Sequence, residues 1–198
     1  MHRFSATFSF IFVLLLVSGC ALRPAAEADL VGNYSDLTQN VVTQGDKAID
    51  FTLPDGEGNL VSLSQALNQQ HVLLIFYRGD WCPFCIDQFS TIQPVLPELK
   101  SHGVALLAVS PDEQNAAMNT QRRFGQDYQF LSDPSLAVTK RYGIASDKAL
   151  PHPAVYLIRK SSESAGGEVV WMYASTDHKT RPNGEQLLSQ VKRLLTRP

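Results

Sequence analysis

Cysteine is scarce in this 198-residue chain, at positions 20, 82 and 85 only. Three cysteines cannot staple a domain through a network of bridges, so a hydrophobic core has to hold the fold. Metal-ligand patterns are missing as well. Cys82 and Cys85 make one C-x-x-C with no second pair, which is half of a zinc site, and the histidines at 71, 102, 152 and 178 show no ligand spacing. Residue 86 is isoleucine, so the c-type haem pattern C-x-x-C-H is absent. No cluster of lysine or arginine marks a nucleic-acid surface, and 17 basic against 19 acidic residues leave a formal charge of −2. There is no internal repeat, no long low-complexity segment, and no apolar run of the ~20 residues that a membrane-spanning helix needs. What remains is enough chain for one domain with a real core, calling for no metal and no bound cofactor.

The N-terminus carries a shorter apolar run. Phe8 to Val17 follows a small basic start (His2, Arg3) and has the length of a secretory h-region. The sequence closing it, Leu16-Val17-Ser18-Gly19-Cys20, resembles the bacterial lipobox, in which the cysteine is lipidated and becomes the mature N-terminus. That implies a lipoprotein signal over residues 1–19, lipid on Cys20, and an extracytoplasmic protein held at a membrane on the periplasmic side. Ala21 in place of aspartate points outward, to the outer membrane. The plain alternatives are an ordinary signal peptide cut nearby and an uncleaved anchor. Residues 20–43 contain Ala, Asn and Gln with weak patterning and read as a lipidated start and tether, leaving 44–198 as the folded domain.

The stretch around which the domain is organised is Leu73 to Cys85. Val72 to Tyr77 has the length and composition of a buried strand. It breaks at Arg78-Gly79-Asp80 and then presents Trp81-Cys82-Pro83-Phe84-Cys85. Proline suits the first position of a helix, because its missing N–H would be unpaired there anyway. Cys82 is therefore expected at a helix N-cap with Cys85 one turn later on the same side. Free N–H groups and the helix dipole favour an anion at that place, here a thiolate. The two cysteines can also close a disulfide, so the pair reads as a redox centre.

Around it the chain alternates strands and helices. A hairpin is expected from Gly45 to Leu63, then a brief helix capped by Ser64 through Leu67. After the cysteine pair, Ile86, Phe89, Ile92, Leu96 and Leu99 recur at helical spacing, with kinks at Pro94 and Pro97. Val104 to Val109 reads as a second buried strand, Ser110-Pro111-Asp112 as the opening of a helix to Phe124, and Tyr128 to Leu131 as a short strand. Asp133-Pro134 caps a helix stopped by Gly143, and Ala154 to Ile158 pairs with Glu168 to Tyr173 as an antiparallel hairpin. A last helix from Gly184 carries Leu187, Leu188, Val191, Leu194 and Leu195 on one stripe. Such alternation predicts an α/β fold, a central mixed β-sheet flanked by helices.

Trp81-Cys82-Pro83-Phe84-Cys85 after a buried strand resembles the W-C-x-x-C corner of thioredoxins, and Pro153 before Ala154-Val155-Tyr156-Leu157 looks like the thioredoxin-fold cis-proline. The start Gly45-Asp46 through Asp55, Ser110-Pro111-Asp112 and Leu131-Ser132-Asp133-Pro134 are similar to the alkyl hydroperoxide reductase/thiol-specific antioxidant branch, the peroxiredoxin-like proteins. The resemblance covers about residues 44–198 and implies a thioredoxin-like fold with an N-terminal hairpin extension. Its two branches imply different chemistry. Laid on the peroxiredoxin pattern P-x-x-x-T-x-x-C, this chain has Arg78 at the proline, Cys82 at the threonine and Cys85 at the peroxide-attacking cysteine. The later arginine that activates that thiolate falls on Pro153. The buried acid of thioredoxins falls on Phe76, which leaves proton handling to solvent, Asp80 or a nearby side chain.

These departures favour thiol–disulfide exchange, with Cys82 attacking and Cys85 resolving through a Cys82–Cys85 disulfide. The alternatives are a thiol peroxidase with Cys85 attacking and Cys82 resolving, and a redox-inert binding domain that keeps a structural disulfide. The expected partners are protein thiols or disulfides or a small thiol reductant, with hydroperoxides under the peroxidase reading, and the membrane through Cys20. Trp81 is expected to pack and shield, Arg78 to tune the thiolate or sit in a solvated turn, and Pro153 to lie against the pair with a cis bond from His152. His152 is a substrate contact or a loop histidine. Asp177-His178 and Arg181-Pro182 read as a loop and cap before the last helix.

Overall fold

The computed structural model describes residues 22–39, 42–161 and 166–195; Cys20 and the signal segment lie outside them. The first described stretch, within the expected tether, is folded against the domain. Two short strands, β1 (Arg23–Pro24) and β2 (Tyr34–Ser35), bracket a one-turn helix, α1 (Glu27–Leu30). Leu22, Ala25 and Leu30 are buried in the core, Trp171 donates its indole N–H to the Leu30 carbonyl at 3.2 Å, and Gln186 donates to the Ala25 carbonyl at 2.8 Å. Three irregularly spaced apolar residues leave no periodic pattern in the sequence, yet each finds a partner in space.

The expected hairpin is present as β3 (Thr52–Pro54) and β4 (Leu60–Ser62), antiparallel. Helix α2 (Leu63–Gln69) follows, capped by Ser62 instead of Ser64; the Ser62 hydroxyl accepts from the Gln65 N–H at 3.4 Å. Next come β5 (His71–Phe76) and α3 (Pro83–Ile92), a 3-10 turn over Gln93–Val95, and α4 (Leu96–Ser101). The break between the helical pieces falls at Pro94 and Pro97, each of which lacks the N–H that an unbroken helix would use. Beyond lie β6 (Val104–Ser110), α5 (Gln114–Phe124), β7 (Tyr128–Ser132) and α6 (Ala137–Arg141). Asp133 caps α6 from a distance, its carboxylate accepting from the Thr139 N–H and hydroxyl, both at 3.0 Å. The chain ends with β8 (Ala154–Arg159), β9 (Glu168–Ala174), β10 (Thr180–Arg181) and α7 (Gly184–Leu195).

Six strands form the central sheet in the order β2-β9-β8-β5-β6-β7. β5, β6 and β7 run parallel, whereas β8 is antiparallel to β5 and β9 to β8. β5 is interior and apolar along its length, as a strand covered on both faces must be. Alternate residues feed two cores. Leu73 and Ile75 meet Phe89, Ile92, Leu99, Leu187 and Val191 from α3, α4 and α7. Val72, Leu74 and Phe76 meet Leu63, Leu67, Val138 and Tyr142 from α2, α6 and the turn after α6. The expected α/β arrangement is therefore present, with helices on both faces of a mixed sheet. No helix among the described residues is long and apolar enough to cross a membrane.

Where α7 starts, Gly184 is pressed against the end of α3, and its N–H donates to the Thr91 hydroxyl at 3.0 Å. A methyl group at Gly184 would run into the Thr91 carbonyl and come within 2.9 Å of the Ile92 Cα. Gly184→Ala should therefore cost about 1–3 kcal/mol of stability by forcing α3 and α7 apart. Urea denaturation monitored by far-ultraviolet circular dichroism measures this, and an unchanged midpoint would contradict the packing.

Candidate active site

The corner at the end of β5 is built by backbone first. The Tyr77 N–H still bonds to the Val109 carbonyl at 3.0 Å, and the chain then turns through Arg78-Gly79-Asp80. Gly79 has φ 143°, and a Cβ there would approach the Trp81 indole nitrogen to 2.6 Å and an Asp112 carboxylate oxygen to 2.8 Å. Only glycine fits that turn. The Cys82 N–H closes the turn on the Gly79 carbonyl at 3.1 Å. Cys82 is the N-cap of α3 and Pro83 its first residue, as the sequence predicts. Its carbonyl accepts from the Cys85 and Ile86 N–H groups at 3.0 and 3.1 Å.

Cys82 and Cys85 are joined as a disulfide, with Cα atoms 5.3 Å apart. Cys82 is 1% exposed and Cys85 fully buried. Trp81 does not shield them by packing inward: it is 58% exposed, with the Arg78 guanidinium stacked 5.3 Å from its ring centre. Phe84 makes a similar rim on the other side, against the His178 ring and below the Lys179 ammonium. The corner thus presents aromatic faces backed by positive charge.

Arg181, read from sequence as part of a loop and cap, sits in this corner and is 1% exposed. One guanidinium nitrogen (Nη2) lies 3.9 Å from the Cys82 sulfur and donates to the His178 carbonyl at 2.9 Å. The other (Nη1) reaches Gln88 on α3 at 3.5 Å. Gln88 is itself buried and donates to the Pro182 carbonyl at 2.9 Å, which ties the loop to the redox helix. No local sequence pattern signals Arg181, because its neighbours Thr180 and Pro182 read as turn chemistry.

A buried acid is also present, beyond the end of a different strand from the one the thioredoxin frame supplies. Phe76 occupies the frame position and packs against Tyr142 and Tyr156. Asp112, just past β6, turns its carboxylate toward the corner instead of capping a helix. It accepts from the Asp80 N–H and the Ser110 hydroxyl, each at 2.9 Å. Burial pushes this carboxyl above the ordinary range, with the Asp80 charge adding to the rise and the bonds from Ser110 and Asp80 opposing it.

His152 and Pro153 enter β8, where Ala154 pairs with Phe76 at the end of β5. The expected cis bond is not there: the described residues contain no cis peptide. The trans segment is held extended by the His152 N–H on the Ile144 carbonyl at 2.8 Å and by the Ser175 N–H on the Pro153 carbonyl at 3.1 Å. His152 is half-buried and lines a cavity of about 310 Å³ together with Leu37, Lys140, Gly143 and Thr176. Burial lowers its pKa, Asp36 and Asp147 oppose this, and Arg78 adds to it. Among the described residues no group of three or more His, Cys, Asp or Glu could hold a metal ion.

The AhpC/TSA family model matches residues 44–163. The chain belongs to the AhpC/TSA family. A provisionally named peroxiredoxin, bcp, of Coxiella burnetii is 34% identical over 104 residues, covering 52% of this chain and 68% of that protein. The chloroplastic peroxiredoxin Q of Oryza sativa subsp. japonica is 27% identical over 148 residues, 74% of this chain and 65% of its own. Among solved structures, peroxidoxin BcpB of Mycobacterium tuberculosis superposes with a TM-score of 0.66 at 20% identity, over 79% of this chain and 99% of that one. A Chlorobium tepidum protein provisionally assigned as the thiol:disulfide interchange protein DsbE gives 0.56 at 25% identity, over 76% and 99%. The fold is thioredoxin-like, and AhpC/TSA membership makes the protein an oxidoreductase of a peroxiredoxin-like family. The balance that favoured exchange is thereby reversed, and β1 and β10 both fall outside the family match.

Asp112 generates a prediction about stability. Its folded-state pKa lies above the ordinary 3.8, so the fold binds this proton more tightly than the unfolded chain does. Its contribution favours the folded state at low pH and is lost as pH rises from about 3.8 through the raised value. Asp112→Asn, which cannot ionise, should gain stability relative to the parent as pH rises through that window. Urea midpoints of the two proteins across the acid range test this; parallel profiles would count against a raised carboxyl.

Proposed function

We propose that the Cys82–Cys85 pair reduces hydroperoxides. One thiolate attacks the peroxide oxygen, an S–O bond forms as the O–O bond breaks, and the alkoxide leaves as the alcohol after taking a proton. The second thiol then attacks the sulfenic sulfur, forms the disulfide and releases water. A dithiol reductant reopens the pair by exchange, supplies the two electrons and leaves as its own disulfide. The observation that carries this reading is a buried disulfide at the N-terminus of α3, inside the stretch that matches the AhpC/TSA family. Cys85 occupies the attacking position of the family pattern. Thiol–disulfide exchange with protein partners is the second reading, favoured by the W-C-x-x-C corner and the exposed Trp81 beside it.

The reduced protein should consume hydroperoxide in a single turnover and end as the Cys82–Cys85 disulfide, and a dithiol should restore consumption. Cys82→Ser and Cys85→Ser should each abolish multiple turnover, because neither lone sulfur can close the disulfide. Peroxide loss measured with thiol titration and mass spectrometry checks both points. A reduced protein that ignores peroxide but reduces a model protein disulfide would establish the second reading instead.

The tether belongs to the same proposal. A lipid on Cys20 would begin two residues before Leu22, whose N–H donates to the Asp87 carboxylate on α3 at 2.8 Å. Two residues span at most about 7 Å, so such an anchor would hold the redox helix close to the membrane surface. Cys20→Ala should lose the lipid and release the protein from membranes. Fractionation and intact mass measure this, and a mature protein with an unmodified Cys20 would rule the anchor out.

A further inference from the structure

Among the described residues Arg181 is the only lysine or arginine that is fully buried, and it has no carboxylate partner. Its Nε makes no hydrogen bond. Asp177 is close enough to be felt, but its carboxylate is committed to Arg23 at 3.3 Å, the Lys179 N–H at 3.0 Å and the Thr180 hydroxyl at 2.8 Å. Arg78 adds a second positive charge facing the same place. A buried cation without a counter-ion is costly, so a group that can supply the anion is stabilised in its ionised form. The sulfur that the guanidinium touches is that of Cys82.

We propose that Arg181 supplies the counter-charge for the Cys82 thiolate, making Cys82 the attacking sulfur and Cys85 the resolving one, and that β1 holds it in place. β1 pairs with β10 in parallel, with Pro24 opposite Arg181. The Ala25 N–H donates to the Arg181 carbonyl at 3.0 Å, and the Arg23 N–H to the Lys179 carbonyl at 2.9 Å. The N-cap position of Cys82 works in the same direction, since the positive end of the α3 dipole favours an anion there. The order of attack is thus opposite to the one the family pattern assigns, and its cause lies in two short strands outside the family match. Arg181 is a positioning residue that acts through sulfur.

The assignment rests on the redox reading of the pair but not on which oxidant it meets. In the peroxidase cycle Cys82 sulfur bonds to the peroxide oxygen, the alcohol leaves, and Cys85 sulfur displaces water from the Cys82 sulfenic acid. A dithiol then returns both sulfurs to the reduced form.

The test is the ionisation of each thiol, read from ultraviolet thiolate absorbance against pH in the reduced Cys85→Ser and Cys82→Ser proteins. Cys82 should ionise at lower pH than Cys85. Arg181→Gln in the Cys85→Ser background should raise the Cys82 midpoint by about one pH unit, a tenfold loss of thiolate below the midpoint. Arg181→Lys should recover part of it. Arg78, Tyr173, Asp177 and His178 also surround Arg181, with Lys179 at the rim, and His178→Gln serves as the control for a group titrating in the same range. A lower midpoint for Cys85, or a Cys82 midpoint unmoved in folded Arg181→Gln, would overturn the proposal. Should Arg181→Gln fail to fold, the order of the two midpoints decides alone. If the midpoints behave as expected but peroxide is not consumed, the peroxidase reading fails and the assignment of Cys82 stands.

Discussion

A strand buried on both faces must release its chain at one end of the sheet, and the site depends on how β5 does this. Every residue from Val72 to Phe76 is committed to a core, and Tyr77 keeps its ladder bond to β6. The turn that follows has no freedom to wander. Gly79 folds it back, the Gly79 carbonyl takes the Cys82 N–H, and α3 begins at once. The sulfurs consequently sit at a helix start that is fixed to the centre of the sheet, with buried apolar residues behind them. In that frame the two Cα atoms are 5.3 Å apart with the disulfide closed.

The parts of this arrangement that follow from local pattern were legible in sequence. An apolar run bounded by a polar turn gives β5, a proline after a cysteine gives the N-cap, and the two prolines beyond Ile92 give the broken helix. The hairpin of β8 and β9 and the apolar stripe of α7 follow from their own periodicities. What escaped is whatever depends on distant partners. Leu22, Ala25 and Leu30 have no period because they serve three different contacts. β1 and β10 are two residues each, and strands that short carry no alternation to read.

The same division separates the site residues. Cys82 and Cys85 announce themselves by spacing, whereas Arg181 reaches Cys82 across 99 positions of chain. Asp112 looks like a helix opener, since an aspartate after Ser-Pro suits a cap, but the nearby turn at Gly79-Asp80 competes for its carboxylate and wins. Pro153 was placed by analogy with one branch of the fold, and the backbone there follows the hydrogen bonds it can make to Ile144 and Ser175. Trp81 shows the limit of composition as a guide, because a large apolar side chain beside a buried pair is equally suited to cover it or to face a partner.

Arg181 also links the fold to the chemistry in energy. A desolvated guanidinium must be held by structure that is stable for other reasons, and here that structure is the β1–β10 pairing, the Gln88 bridge and the packing of α7 on α3. In the disulfide form none of these supplies a negative charge, so the burial is a net cost to the oxidised fold. Reduction creates a thiol that can ionise against the guanidinium, and the cost is offset in that state alone. A group whose electrostatics are satisfied in only one redox state moves the equilibrium toward that state. The pair is thereby biased toward accepting electrons, as a site that is oxidised by substrate and must be readily reduced again requires. The sequence segment that appears least structured, the run from Leu22 to Ala25, is on this account coupled to the reactivity of a cysteine sixty residues away, because it is the edge on which β10 is paired.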